Sequence, residues 1–378
     1  PLLGRLLAHL GVPTTPTRMS FSVSIGNGTL EYAGHSLGAV FAQRRNALRP
    51  PFLRMLYDIR RFNRLGWRFL GEVQEAEPSL GEFLDHHGFG QGLCDWFLLP
   101  MAAAIWSAPV AQIRAYPARS FLTFFANHGL LSVRGHYPWR TISGGSHRYV
   151  ERLAAEFRPR VRLATPIAGI RRWPWGVELR DKRGERHLFD QVVLACHADQ
   201  SLALLEDATP HERAILGAFR YQPNRAVLHR DAALMPRQRA AWASWNYLAP
   251  ARLDPQARVS ATYWMNRLQR LPVRQNLFVS LNPLREPERH LVDGEFDYAH
   301  PVFDAASVAA QRRMPLIQGR GGVWYGGAWL GYGFHEDGLR SALAVALELG
   351  VAPPWATSAP PAAFGALSLP EGAAAQPA

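Results

Sequence analysis

The sequence has 378 residues, 48% hydrophobic and 19% charged, long enough for more than one hydrophobic core. Its Gly 32 and Pro 29 stay below the share of a disordered chain, and no apolar run approaches the roughly 20 residues that span a bilayer. The balance of Lys+Arg 42 against Asp+Glu 30 leaves +12, which favours anionic partners such as a phosphorylated cofactor or an acidic membrane surface. The basic residues are spread along the chain instead of forming a run, which sets nucleic acid aside as a partner.

The opening stretch Leu2 to Leu10 has helical apolar spacing, and Gly11 and Pro13 stop it. Phe21, Val23 and Ile25 alternate with serines, turn at Gly26-Asn27-Gly28 and resume at Leu30 to Tyr32, which predicts a β-hairpin. From Ser36 to Ala126 the pattern is mostly helical, broken at Pro50-Pro51, Pro78 and Pro109. Ser79 followed by Glu82 predicts a capping box.

The texture changes near Thr141. Ser143-Gly144-Gly145-Ser146 leads into a predicted helix from Arg148 to Phe157, followed by strands at Val161 to Leu163 and Ile167 to Arg172. Trp175 to Arg180 and His187 to Phe189 flank the turn Asp181-Lys182-Arg183-Gly184 as a second hairpin. Val192 to Ala195 is an apolar run of strand length, of the kind buried on both faces of a parallel sheet. Short alternating segments between Arg225 and Leu281 predict a second, largely antiparallel sheet. From Gly321 a strand, a Gly-rich turn and a helix run to Gly350, and an Ala- and Pro-rich tail over 351–378 is expected to be disordered.

The chemistry-bearing residues are few. Cys94 and Cys196 have neither disulfide nor metal spacing, which favours a reducing compartment with the cytoplasm as default. His86-His87, and His128 with His136, lack the spacing and carboxylate partners of a metal site, so no metal is expected. Ser143 to Ser146 lacks the Gly-x-Ser-x-Gly elbow of a hydrolase.

Three segments in this order resemble the flavin-containing amine oxidase and phytoene desaturase superfamily, in a bacterial branch of NAD/FAD-binding oxidoreductases. They are the Gly144-Gly145 turn with its helix, the hairpin ending in Asp190 to Ala195, and Val323-Trp324-Tyr325-Gly326-Gly327-Ala328-Trp329 running on to Glu336-Asp337-Gly338-Leu339-Arg340-Ser341. The resemblance implies an α/β fold: an FAD-binding, doubly wound parallel sheet with a second α+β substrate domain. It places residues 1–34, 136–201 and 314–350 in the FAD-binding domain, and 35–135 and 202–313 in the substrate domain. It also implies that the first βαβ unit, with its Gly-x-Gly-x-x-Gly turn, is missing from this sequence, so the chain is expected to bind FAD weakly and to expose strand edges.

The resemblance further implies FAD contacts at Gly144, Gly145, Ile167, Ala195, Gly327, Gly338 and Leu339. A helix starting at Gly338 would aim unpaired N–H groups at the flavin carbonyl O2, and Gly327 would let backbone approach the ribityl and phosphate region. The family often follows such a glycine with an acidic residue, where this sequence has Ala328 and Trp329. His335 and Trp329 are the candidate catalytic residues on the substrate side; an imidazole can move a proton near neutral pH. For each of these residues a core or turn role accounts for the residue type as well.

Amine oxidases of the superfamily carry a lysine that orients water at the flavin, whereas Lys182, the single lysine, sits in a hairpin turn. That departure favours desaturation or double-bond isomerisation of an apolar lipid or isoprenoid substrate over amine oxidation. Helices around Trp96 to Trp106 would line a pocket for such a chain, or would simply cover the second sheet. The alternative from another class is an inactive flavoprotein relative serving as a lipid-binding or scaffold module.

Overall fold

The computed structural model describes residues 2–73, 77–132, 138–252 and 254–355. The expected tail beyond residue 355 and His136 lie outside them. The described residues form two compact units, one within 2–13, 142–220 and 305–355, the other within 14–141 and 221–304. Among the described residues no helix is long and apolar enough to cross a membrane.

In the first unit, Val192–Leu194 and Val323–Tyr325 pair in parallel, with Val323 opposite Val192 and Tyr325 opposite Leu194. The run was expected to be buried on both faces. Instead Val193 is 48% exposed between two buried neighbours, because the described residues cover only one face of the pair. A meander of Ile167–Trp173, Gly176–Asp181 and Arg186–Phe189 forms a separate antiparallel sheet. Its turn closes because Asp181 Oδ1 accepts from the N–H groups of Arg183 and Glu185, each at 2.9 Å. The strand expected at Val161 to Leu163 does not form. A 3-10 turn fills Arg158–Arg160, Ala164 takes a positive φ of 51°, and Leu163 is left 83% exposed with no strand beside it.

A buried carboxylate ties this unit together. Glu212, on the helix Pro210–Leu216, is 1% exposed and accepts from the Tyr325 hydroxyl at 2.5 Å and from Arg172 of the meander. The N–H and hydroxyl of Thr209 also donate to it, at 2.8 and 2.9 Å, completing a capping box. Burial by itself would raise the Glu212 carboxyl, but these donors outweigh it and hold it below the ordinary value.

The closing helix, His335–Glu348, carries Glu336, whose carboxylate accepts from the N–H groups of Leu2 and Leu3 at 2.6 and 2.8 Å. Glu336 thereby caps the helix Leu2–His9 from outside. Glu336→Ala should cost about 1 kcal/mol and speed hydrogen exchange selectively in Leu2–His9; unchanged exchange there would deny the cap.

The second unit is built on a seven-stranded sheet. Its order is Val292–Val302, Arg220–His229, Phe278–Leu281, Ser260–Trp264, Trp245–Ala249, Phe21–Ile25 and Leu30–Ala33. The predicted hairpin is present, with positive φ at Gly26, Asn27 and Gly28, but not where residues 1–34 were expected to go. Phe21–Ile25 runs parallel to Trp245–Ala249, so the hairpin is the end of this sheet and not part of the first unit. The alternation that makes the hairpin legible is local, whereas the strand it joins lies more than two hundred residues away.

One face of this sheet is apolar, with Val23, Tyr32, Tyr247 and Ala261 buried, and helices cover it. The Tyr32 hydroxyl donates to Trp96 O at 2.6 Å. Leu99–Trp106 and Ala118–Asn127 pack their aromatics together, Phe121 stacking on Phe125 at 4.3 Å and Trp106 lying 4.7 Å from Phe124. These helices therefore cover the sheet, and Leu98, Leu99 and Trp106 are buried core. The capping box at Ser79 forms as the sequence predicts, Ser79 Oγ accepting from Glu82 N at 3.2 Å.

The opposite face carries buried polar side chains that satisfy one another. Ser22 Oγ donates to Asn246 Oδ1 at 2.7 Å, Thr262 and Ser280 share a hydroxyl bond at 2.7 Å, and His229 Nε2 meets Ser280 Oγ at 2.8 Å. Asp231 N donates to His229 Nδ1, so Nε2 is the ring's donor, and burial keeps the imidazole below its usual pKa and neutral.

Candidate functional site

The parallel strands of the first unit end beside one another, and their ends hold the candidate site. Gly326 N donates to Leu194 O at 2.9 Å, continuing the ladder one residue past Tyr325. Gly327 N then donates to Ser341 Oγ at 2.9 Å, and that hydroxyl donates to Gly338 O at 2.8 Å, fastening the strand end to the first turns of the closing helix. Trp329 is buried, its Nε1 donating to Cys196 O at 3.1 Å and its ring lying 4.6 Å from Phe219. Gln311 Nε2 donates to the carbonyls of Trp329 and Gly331, holding the intervening turn in place.

The closing helix begins at His335, three residues before the expected start at Gly338. The reason is Asp337, whose Oδ2 accepts from Tyr332 N and Phe334 N at 3.1 Å each and so starts the helical turn earlier. Phe334 stands at the N-cap, where it has no side-chain oxygen to offer, and the Asp337 carboxylate caps the Phe334 N–H from the third helical position. Gly338 lies in that first turn. A Cβ there would make ordinary contact with Ala328 N at 3.7 Å, and one on Gly326 with Ser341 Oγ at 3.8 Å, whereas at Gly327 the Trp329 indole already fills that space.

The structure thus gathers Ala195, Gly327, Trp329 and Gly338, with Leu339 one residue further along the helix. Ala195 is exposed at the carboxyl end of its strand, where ligands of open α/β sheets collect. His335 is exposed and lies 6.2 Å from the ring of Tyr149, on the helix His147–Ala154. Gly144 and Gly145, with φ of 81° and 92°, form the turn that launches that helix, so they reach the same end of the unit. Ile167 stands apart in the meander, paired with Asp181.

The same side chains bear on which cofactor fits. A glycine-rich strand end beside a helix N-terminus suits a carbonyl-bearing group, while Glu336 and Asp337 in the first turn disfavour an anion there. Residues 3–227, more than half of the chain, match the family of flavin containing amine oxidoreductases.

The chain belongs to this flavin-containing amine oxidoreductase family.

Solved structures agree at the level of fold. A CLA-producing fatty acid isomerase from P. acnes superposes with a TM-score of 0.59 at 13% identity, over 92% of this chain and 84% of that one. Cyclohexylamine oxidase from Brevibacterium oxydans IH-35A gives 0.59 at 13% identity over 92% and 85%. Reduced UDP-galactopyranose mutase gives 0.56 at 12% over 94% and 83%. No curated protein matches the sequence significantly.

Membership makes this amine oxidoreductase relative an α/β flavoprotein of the oxidoreductase class, with a flavin cofactor consistent with FAD. The glycine-rich strand end and the helix N-terminus of the first unit fit such a group. Ala328 and Trp329 do not supply the acidic ribityl contact common in the family, so that part of the fit is missing.

Asp181, Glu185 and His187 lie close enough to share an ion, a grouping the sequence reading did not single out. Asp181 Oδ1 is already committed to two turn N–H groups, and Arg162 approaches His187 Nδ1 at 3.1 Å, so the cluster closes a turn. Roles for Ser341, Asp337, Gln311 and Glu212 were also missed, although Asp337 and Ser341 lie in a segment that carries the resemblance. Glu212 had its own local signal, the Thr209-x-x-Glu212 capping pattern.

Proposed function

We propose that this chain is an FAD-dependent oxidoreductase acting on an apolar substrate, by desaturation or double-bond isomerisation in preference to amine oxidation. The observation that carries the reading is the place of Lys182. It lies in the turn between Gly176–Asp181 and Arg186–Phe189, with its N–H bound to Pro166 O at 2.9 Å. The parallel strand ends and the closing helix hold no lysine at all. A lysine that orients water for amine oxidation is therefore not supplied at the glycine cradle by this chain.

When bound, the flavin supplies the two-electron chemistry. The chain's own residues would do the rest. The N–H groups of His335 and Glu336 would orient a ring carbonyl, Gly326 would let the backbone come close, and Trp329, packed over Gly327, would exclude water. His335, exposed beside Tyr149, would hold or move a proton at its imidazole. FAD contacts at Gly144, Gly145, Ala195, Gly338 and Leu339 belong to the same proposal, with Ile167 as the adenine neighbour.

In flavin-loaded protein, His335→Ala is expected to slow flavin reduction or product formation at least tenfold while changing flavin affinity less than about twofold. Equal turnover in the variant would return His335 to a surface role. The absent acidic ribityl contact favours the second reading, an inactive relative that binds lipid. Apolar ligand binding with neither flavin reduction nor an altered product would establish that reading instead.

A further inference from the structure

The seven-stranded unit contains a cavity of about 620 Å3, walled by residues 16–18, 266, 267, 270 and 271. This volume is in the range of small-molecule pockets, larger than a lone ion needs. Three of its lining side chains are Arg18, Arg267 and Arg270, and no acidic residue lines it. Two of the guanidiniums are held by backbone carbonyls instead of carboxylates. Arg267 Nη1 donates to Trp242 O and Arg270 Nη1 to Pro16 O, each at 3.1 Å. One such bond uses one of five N–H donors, so each fork keeps several directed elsewhere.

The walls are fastened to each other. Thr17 Oγ1 lies within hydrogen-bonding distance of the carbonyls of Arg267 and Leu268, at 3.1 and 2.7 Å, joining the two stretches across the cavity. Arg270 sits at the end of the helix Met265–Gln269 in the left-handed region, φ 51° and ψ 48°. That conformation costs a non-glycine residue roughly 1–2 kcal/mol and is what Gly or Asn usually provides. An arginine held there, at a cavity it shares with two other arginines, is strain kept for a side chain.

Among the described residues none of the three guanidiniums is paired with a carboxylate. Burial, and then the charge of Arg18, lower the Arg267 guanidinium from its usual value, and burial followed by Arg267 and Arg18 does the same to His35. Like charges are held together here at a cost that an anion would remove.

We propose that this cavity binds an oxyanion, the carboxylate or phosphate group of a small molecule, between Arg18, Arg267 and Arg270. Planar guanidinium forks match both groups in bidentate fashion. The proposal does not rest on the flavin reading, since every residue it uses lies in the second unit.

The test is calorimetric titration of the full chain with hexanoate and with hexyl phosphate at low salt. At least one should bind more tightly than about 1 mM and weaken as salt is raised. The tighter of the two names the source. Arg270→Gly relieves the left-handed backbone, so its thermal midpoint should equal or exceed that of the parent while affinity falls roughly tenfold or more. Arg18→Met, at an exposed position, should weaken binding to a similar degree without unfolding the chain. Failure of both probes to bind, or parental affinity in both variants, would overturn the proposal.

Discussion

Glu212→Ala should destabilise the first unit by roughly 3 kcal/mol, the lower end of what breaking a buried ion pair costs. The lower end applies because Arg172 keeps a second partner, Asp207, at 2.9 Å. The loss is still large because the Tyr325 hydroxyl and the Thr209 cap are orphaned together while Arg172 loses one of its two carboxylates. The Tyr325 hydroxyl is buried and loses its acceptor, Thr209 N loses its capping carboxylate, and Arg172 already has a buried Nε without an acceptor among the described residues. Urea unfolding followed through near-ultraviolet absorption of tyrosine would read the change.

Two companion variants fix the cause. Glu212→Gln keeps the shape and an acceptor for Tyr325 but drops the charge, so it should fall between parent and Glu212→Ala. Asp207→Ala removes a partly exposed partner together with its bond to Arg172 N and should cost about 1–2 kcal/mol, less than Glu212→Ala. Because the folded Glu212 carboxyl titrates below its unfolded value, its contribution is complete above the ordinary glutamate pKa and is lost as pH falls through the folded one. The parent should therefore lose more stability on acidification than Glu212→Gln does. Parallel acid curves would show that the charge contributes nothing.

The Glu212 cluster also shows where sequence reading stops. Thr209 and Glu212 are three apart, and their capping box is a local pattern like that of Ser79 and Glu82. The tie from Glu212 to Tyr325 spans 113 residues, and nothing periodic announces it. The same division runs through the fold. The Phe21–Ile25 and Leu30–Ala33 strands and the meander were legible because alternation and turn glycines are properties of neighbouring residues. The sheet that the hairpin joins was not, because its partner Trp245–Ala249 is distant and the resemblance drew residues 14–34 to the first unit along with 1–13, which do belong there. At the candidate site the glycines of 326–338 stood out, since few other residues allow close backbone approach. The true start of the closing helix did not, because it depends on Asp337 turning back to Tyr332 and Phe334.

Gly327→Ala should disturb the candidate site more than its single methyl suggests. A Cβ at Gly327 would fall 2.4 Å from Trp329 Nε1 and 2.7 Å from its Cδ1, too close for either to stay. The indole cannot simply swing away, because Cys196 O holds its Nε1 and Phe219 packs edge-on against the ring. Overpacking of this kind costs roughly 1–3 kcal/mol. Since Gly327 N is also bonded to Ser341 on the closing helix, the shift should pass to the helix start, and flavin retention should fall along with stability. Tryptophan emission and flavin absorbance of the purified variant would report the two effects. Trp329→Leu supplies the control: it removes the atoms that the new methyl meets, so the double variant should lose clearly less stability than the two single losses added together. Additive losses would mean that the glycine is required by its own backbone and not by the tryptophan beside it.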